Sequence, residues 1–147
     1  MDSSKVYLVQ TDTTVGFSSS DDEKLSDIKN RPKTQKILQT VKSFKILKLQ
    51  TRIPKKYKKF IRKSKKTTFI YPNSFSYRVI DKNSNFYNFI KKFNSLYSTS
   101  ANKTKEKFNY NFATKKSDII VETKTGFFEN YSSSIFKVTN KRIKKLR

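Results

Sequence analysis

Hydrophobic residues in this chain come in short runs, and the period within each run separates strands from helices. Val6-Tyr7-Leu8-Val9-Gln10 is almost continuously apolar and predicts a buried strand, left by the polar loop Thr11 to Gly16. Ser18-Ser19-Ser20 ahead of Asp21-Asp22-Glu23 predicts a helix start, with a hydroxyl cap followed by acids against the positive end of the dipole. That helix carries Leu25 and Ile28 on one face and is expected to stop at Arg31-Pro32, because a residue before proline avoids the helical region. Ile37 to Val41 is a candidate strand, and Phe44 to Leu49 and Pro54 to about Lys63 read as helices. In the second helix Tyr57, Phe60 and Ile61 share a face, lysines take the other, and proline sits where a missing N–H is harmless.

The second half of the chain turns towards strands. Thr67 to Tyr71 is β-branched and aromatic, and Ser76 to Ile80 alternates. Phe86, Phe89, Ile90 and Phe93 return to helical spacing behind a Ser84 cap. A short strand at Leu96 to Ser98 runs into Thr99-Ser100-Ala101-Asn102 and a poorly patterned polar stretch. Ile119 to Val121, Ile135 to Val138 and a last piece near Ile143 give late strands. Helices and strands alternate early and strands gather late, which predicts an α/β (α+β) domain: a twisted mixed sheet with helices packed on it. At 147 residues, the expectation is one domain over 1–147 with one core.

Composition narrows the chemistry. With no cysteine and no histidine, disulfides, thiolate catalysis, a typical zinc site and a Ser-His-Asp triad are all excluded. No apolar run reaches membrane-span length and the N-terminus does not read as a signal peptide, so the expected location is cytoplasmic. The formal charge is +23, and from Ile28 to Ile80 there are 17 Lys and Arg and no acid. Such a field attracts nucleotides, RNA or an anionic surface. Lys outnumbers Arg 28 to 6 in a chain also rich in Asn, Ile, Phe and Tyr, as AT-rich coding yields without selection for charge. The six arginines run against that bias and carry more information than the lysines.

Two pairs of residues are candidates for a site. Lys29 and Arg31 close a helix that faces a strand end, where open α/β sheets bind ligands, and they offer a point charge and a planar fork to triphosphate oxygens. Ser100 and Asn102 follow another strand end and can serve a nucleotide or an amino acid. Each pair also has an ordinary reading, as a helix C-cap and as a turn. Arg78 reads either as a phosphate ligand or as an outward charge on a half-buried strand.

Four segments, in order, resemble the YrdC family. They are Thr11-Asp12-Thr13-x-x-Gly16 with Lys29-x-Arg31-Pro32, the Thr-rich strand Thr67 to Tyr71 with Ser76-x-Arg78, Ser98-Thr99-Ser100-Ala101-Asn102, and Ser133 with Leu146-Arg147 fourteen residues on. The match spans nearly the whole chain, and the joint order carries it rather than any one piece. Departures are Gln10 where the family usually has Pro, Ser64-Lys65-Lys66 where it often has Pro-Gly-Pro, Gln35 in place of Asn or Lys, and Thr40 where His is frequent.

The resemblance implies a YrdC-like fold with a basic concave cleft. It also implies an L-threonylcarbamoyladenylate synthase, a nucleotidyltransferase that couples L-threonine, bicarbonate and ATP, with pyrophosphate released. The product would serve threonylcarbamoyladenosine modification of tRNA, together with other tRNA-modification proteins. Thr13, Thr40, Ser100 and Ser133 would hold threonine; Lys29, Arg31, Gln35, Ser74, Arg78, Asn102 and Arg147 would hold ATP. Mg2+ would arrive on the nucleotide, with no metal site of the protein's own. An alternative is a non-catalytic YrdC-like module that holds RNA on the basic concave face, supported by the Ile28–Ile80 charge block and the interleaved Phe44, Tyr57, Phe60, Phe69, Tyr71 and Tyr77. A ribosome-associated basic protein without a pocket fits less well, because the hydrophobic positions are patterned.

Overall fold

The computed structural model describes residues 1–147. Strand β1 (Tyr7–Gln10) turns back at once into β2 (Val15–Ser19), and the two form an antiparallel hairpin. The expected serine cap therefore moves. Ser18 and Ser19 lie inside a strand whose five residues are all buried between β1 and a later strand. Asp21 is the cap instead, accepting from the Lys24 amide at 3.2 Å, and helix α1 follows as Asp22–Ile28.

Next come β3 (Gln39–Val41), α2 (Phe44–Gln50), a single 3₁₀ turn at Lys55–Tyr57, α3 (Lys58–Lys63), β4 (Thr67–Ile70), β5 (Ser76–Val79) and α4 (Asn85–Ile90). Ser43 and Ser84 cap α2 and α4 through their hydroxyls. The strand expected at Leu96 extends to six residues as β6 (Ser95–Ser100). The poorly patterned stretch contains a helix, α5 (Tyr110–Lys116), capped by Asn109; only Ala113 within it is fully buried, so its sequence shows little period. Strands β7 (Ile119–Ile120), β8 (Ser134–Val138) and β9 (Ile143–Lys145) complete the chain.

All nine strands join one mixed sheet in the order β7-β1-β2-β6-β3-β5-β4-β8-β9. Pairs β1–β7, β3–β5 and β4–β8 are parallel and the rest antiparallel. Strand residues alternate between faces, and the alternation sorts the interior into three clusters rather than one core. On one face Val6, Leu8, Val15 and Phe17 pack with Leu25 of α1 and Ala113 of α5. Further along that face Val41, Phe69, Tyr77 and Val138 pack with Leu47 of α2 and Ile61 of α3. The opposite face is covered over part of its length, where Tyr7, Val9, Ile80 and Leu96 meet Phe86, Phe89 and Ile90 of α4. The remainder of this second face is polar and concave.

Within the hydrogen-bonded sheet, strand β3 joins the two halves. Its three residues pair with β6 on one side and β5 on the other. Gly16 matters for a different reason. A Cβ there would lie 2.9 Å from the Thr99 carbonyl oxygen and 3.1 Å from Thr11 Cγ2, so β2 meets β6 at this distance only without a side chain.

Candidate functional site

Beyond the end of α4 the second sheet face opens as a cleft of about 450 Å³, within the size range of small-molecule sites. Its floor is made by alternate residues of four strands: Gly16 of β2, Ser98 and Ser100 of β6, Ser76 and Arg78 of β5, and Thr68 and Ile70 of β4. Their sequence neighbours Phe69, Tyr77 and Tyr97 belong to or pack against the clusters on the other face. Thr13, Arg31, Gln35, Lys36, Ser133 and Arg147 form the walls. No acidic side chain lines the cleft, while three of the chain's six arginines do.

How α1 ends explains why Lys-x-Arg-Pro can serve two directions. Asn30 takes a left-handed conformation (φ 51°), its amide donates to the Asp27 carbonyl (3.2 Å) and the Arg31 amide donates to that of Ser26 (2.9 Å). These two bonds are a Schellman motif, and Pro32 follows where the helix cannot continue. The reversal turns Lys29 inward and Arg31 into the cleft. Lys29 is only 3% exposed; its ammonium donates to the carbonyl oxygens of Ser100 (3.1 Å) and Asn102 and to Asn102 Oδ1 (3.1 Å), with Ser100 Oγ at 3.4 Å. Three N–H groups meet three close acceptors, which ties the end of α1 to the end of β6. Burial, with Arg31 nearby, lowers the Lys29 pKa to about 8.

The hairpin loop is organised by Thr11, whose hydroxyl accepts from the amides of Thr13 and Thr14 (both 3.2 Å) and bonds the Thr14 carbonyl. This turn presents Thr13 to the cleft and directs Asp12 to Arg78, with 3.0 Å between Asp12 Oδ1 and an Arg78 Nη atom. Arg78 is 4% exposed and faces inward, which overturns its reading as an outward charge. Burial presses its pKa below the ordinary value and Asp12 opposes that shift. Arg78 Nε has no hydrogen-bond partner. On the far wall Arg147 donates to the Ser133 carbonyl through Nε (2.9 Å) and Nη2 (2.8 Å), and the Ser133 and Thr68 hydroxyls are 2.8 Å apart.

Seven of the eleven sequence candidates thus line one cleft: Thr13, Arg31, Gln35, Arg78, Ser100, Ser133 and Arg147. Lys29 and Asn102 lie behind its edge. Asn102 has both ends of its amide engaged, Oδ1 with Lys29 and Nδ2 with the Glu106 carbonyl (2.6 Å). Ser74 stands at positive φ (70°) on the exposed turn between β4 and β5. Thr40 is fully buried on β3, and its hydroxyl donates to the Leu96 carbonyl at 3.2 Å. Asp12, Thr68 and Ser98 lie inside the segments that carry the resemblance but were given no role from sequence. For the two on strands, the signal was two-residue alternation from Arg78 and Ser100 across the sheet.

The charge block between Ile28 and Ile80 divides between the two sheet faces. Arg31, Lys36 and Arg78 line the cleft, whereas Lys45, Lys48, Arg52, Lys55, Lys56, Lys58, Lys59, Arg62 and Lys63 are exposed along α2, α3 and the segment joining them, over the opposite face. Nor are the interleaved aromatics a stacking surface for the cleft. Phe69, Tyr71 and Tyr77 are buried in the second cluster, Phe44 and Tyr57 pack against it, and Phe60 is edge-on to Phe69 and Phe136.

No family model and no curated protein matches the chain by sequence. Solved structures do match by shape. P. abyssi Sua5 superposes with TM-scores of 0.79 for a doubly substituted variant and 0.78 for the complex with L-threonine, at 14% identity in both. The MTH1692 protein from Methanobacterium thermoautotrophicum gives 0.71 at 15% identity. Full-length HypF in a phosphate- and nucleotide-bound form gives 0.71 at 12%. Each superposition covers 98% of this chain, but 52% and 50% of the two Sua5 chains, 80% of MTH1692 and 27% of HypF. The chain therefore spans about half the length of Sua5. The likeness establishes a shared, YrdC-like fold over the whole chain.

Proposed function

We propose that the chain is an L-threonylcarbamoyladenylate synthase whose reaction takes place in the cleft. One observation carries the reading: Arg31, Arg78 and Arg147 converge on an acid-free, hydroxyl-lined cleft, in a fold shared with a protein solved in complex with L-threonine. In this reaction the threonine amine takes up CO2 derived from bicarbonate, water being lost, and becomes a carbamate. A carbamate oxygen attacks the α-phosphorus of ATP; the bond to the β-phosphate oxygen breaks and pyrophosphate leaves with the electron pair. No side chain has to act as a nucleophile. The protein's task is to align two anions and stabilise charge on phosphate oxygens, which the absence of His and Cys does not hinder.

The side chains divide naturally between these tasks. The Arg31 guanidinium has no partner within the protein, Arg147 keeps donors beyond those on Ser133, and Arg78, buried against Asp12, adds its charge at the cleft floor. Together they would bind the phosphates, with Gln35 at the cleft wall and Ser74 on the adjoining turn towards the rest of the nucleotide. Thr13, Ser100 and Ser133 offer hydroxyls to threonine. Lys29 and Asn102 act as positioning residues that hold the β6 end, and Thr40 does the same within the sheet. Asp12 faces Arg78 and no cluster of acids gathers elsewhere, so Mg2+ would be held by the nucleotide's phosphates and water. The product would serve tRNA modification through partner proteins.

The test is pyrophosphate release from ATP with and without L-threonine and bicarbonate. Release that requires both co-substrates is the expected outcome, and release indifferent to either would refute the reading. Arg31→Ala should lower turnover by about 100-fold or more, the scale of a lost charge-stabilising donor. Its melting temperature should stay close to that of the parent, because the Arg31 side chain makes no intramolecular hydrogen bond.

A further inference from the structure

Between α5 and the segment that follows β7, the chain builds a second pocket that shares no residue with the cleft. Phe108, Tyr110, Glu122, Thr123, Gly126 and Phe127 line a volume of about 320 Å³. Three of the six are aromatic. The rings of Phe108 and Phe127 have centroids 6.5 Å apart and cross at 64°, and the Tyr110 ring lies 6.4 Å from that of Phe127 at 38°. Phe108 and Phe127 are half-buried against the first cluster, which fixes them, while Tyr110 at the start of α5 is 53% exposed. A turn and two cross-links set the rest. The Gly126 amide donates to the Thr123 carbonyl and the Thr123 hydroxyl to the Gly126 carbonyl (both 3.1 Å), with Gly126 at positive φ (70°) ahead of Phe127. Beyond it the Phe128 amide donates to Gln10 Oε1 at 3.0 Å, and Glu129 accepts from the Phe108 amide.

We propose that this pocket binds a methylated ammonium group, held on the ring faces by cation–π attraction with Glu122 as its counter-ion. Two observations choose that ligand. Elsewhere the protein covers its own rings with cations: Lys48 and Arg62 stand over Phe44, Lys56 over Tyr57, Lys36 over Phe75 and Lys103 over Phe112. No Lys or Arg stands over Phe108, Tyr110 or Phe127, although the chain has 34 of them. The second observation is local charge. In a chain of +23, residues 117–133 carry Asp118, Glu122 and Glu129 against Lys124 alone, and Glu122 takes part in none of the three ion pairs. An anion would meet that carboxylate, and an uncharged apolar ligand would gain nothing from it. A bare primary ammonium is compact and strongly hydrated, so it gives up water reluctantly. Methyl groups remove that hydration and keep the charge, which is the chemistry that aromatic cages recognise.

The inference is independent of the reaction proposed for the cleft, and the chain's only two glycines keep them apart, since Gly126 lines the pocket and Gly16 the cleft. Choline chloride is titrated into the isotope-labelled full chain at constant ionic strength, and both glycine amides are followed by NMR. The Gly126 resonance should shift saturably while that of Gly16 stays in place. Dimethylbutanol, the neutral isostere with carbon in place of the choline nitrogen, should bind about 10-fold more weakly or worse, and Glu122→Gln should weaken choline about 5-fold. Loss of a ring in Phe127→Leu should weaken it by about 10-fold. Because Phe127 packs on the core, Tyr110→Leu repeats that test at an exposed ring, with a loss of the same sign. Equal affinity for the neutral isostere, a shift at Gly16 in place of Gly126, or unchanged binding in Glu122→Gln would each overturn the proposal. A short peptide carrying one trimethyllysine, run beside choline, identifies the source. Tighter binding of the peptide supports a modified protein side chain, tighter binding of choline supports a small molecule, and failure of both refutes the site.

Discussion

A guanidinium buried as deeply as that of Arg78 needs an opposite charge within reach, and Asp12 supplies one at 3.0 Å. Removing one partner leaves the other as an uncompensated buried charge. Asp12→Asn should therefore destabilise the fold by about 3–5 kcal/mol. The double variant Asp12→Asn/Arg78→Met should recover most of that loss and still fail to turn over ATP. Urea unfolding of the four proteins in the cycle measures the coupling; additive losses would show that the pair does not act as a unit. Lys29 makes a different prediction. With its folded pKa near 8 and its unfolded value near 10.5, the unfolded chain binds a proton between those values that the folded chain lacks. Stability should therefore rise with pH from about 8, until the buried tyrosines Tyr71 and Tyr77, whose pKa values burial raises, reverse the trend above about 10. The Cε resonance of Lys29 should titrate near pH 8, well below the exposed lysines.

At the level of elements, the reversal at the end of α1 decides where two of the charges go. Asn30 tolerates positive φ where a β-branched residue does not, so Asn30→Val should cost about 1–2 kcal/mol and weaken ATP binding by displacing Arg31. Calorimetry on the variant tests both effects, and unchanged nucleotide affinity would dissociate the turn from the site. This helix end was legible in sequence because Arg31-Pro32 can hardly continue a helix, and the helices of residues 44–63 were legible from their faces. Strand β2 was not. Its serines resemble a helix cap locally, and only pairing with β1 and β6 makes them strand residues. Helix α5 was hidden for the opposite reason, since a helix with one fully buried residue leaves almost no period to read. The site was legible as a set of motifs. The ion pair of Asp12 and the burial of Thr40 depend on which face of which strand each residue occupies, and no motif records that.

For the molecule as a whole, charge is the main term outside the core. A chain of +23 with three ion pairs repels itself, so added salt should stabilise it. The melting temperature is expected to rise by several degrees between 10 and 150 mM NaCl; a fall would mean that the ion pairs outweigh the repulsion. The mixed sheet with a basic cleft is as expected from the sequence and its resemblance, whereas the single core is not. The three clusters and the division of charge between both faces follow from strand order, which brings residues far apart in sequence onto the same or opposite sides. That order has a mechanical side. Two groups of strands, β7-β1-β2-β6 and β5-β4-β8-β9, are joined within the sheet by Gln39 to Val41 alone, and both the Asp12–Arg78 ion pair and the cleft lie across that joint. Ser100 stands on one group, with Ser133 and Arg147 on the other. A molecule gripped by both would add a second brace across the joint, beside the one that Asp12 and Arg78 already make.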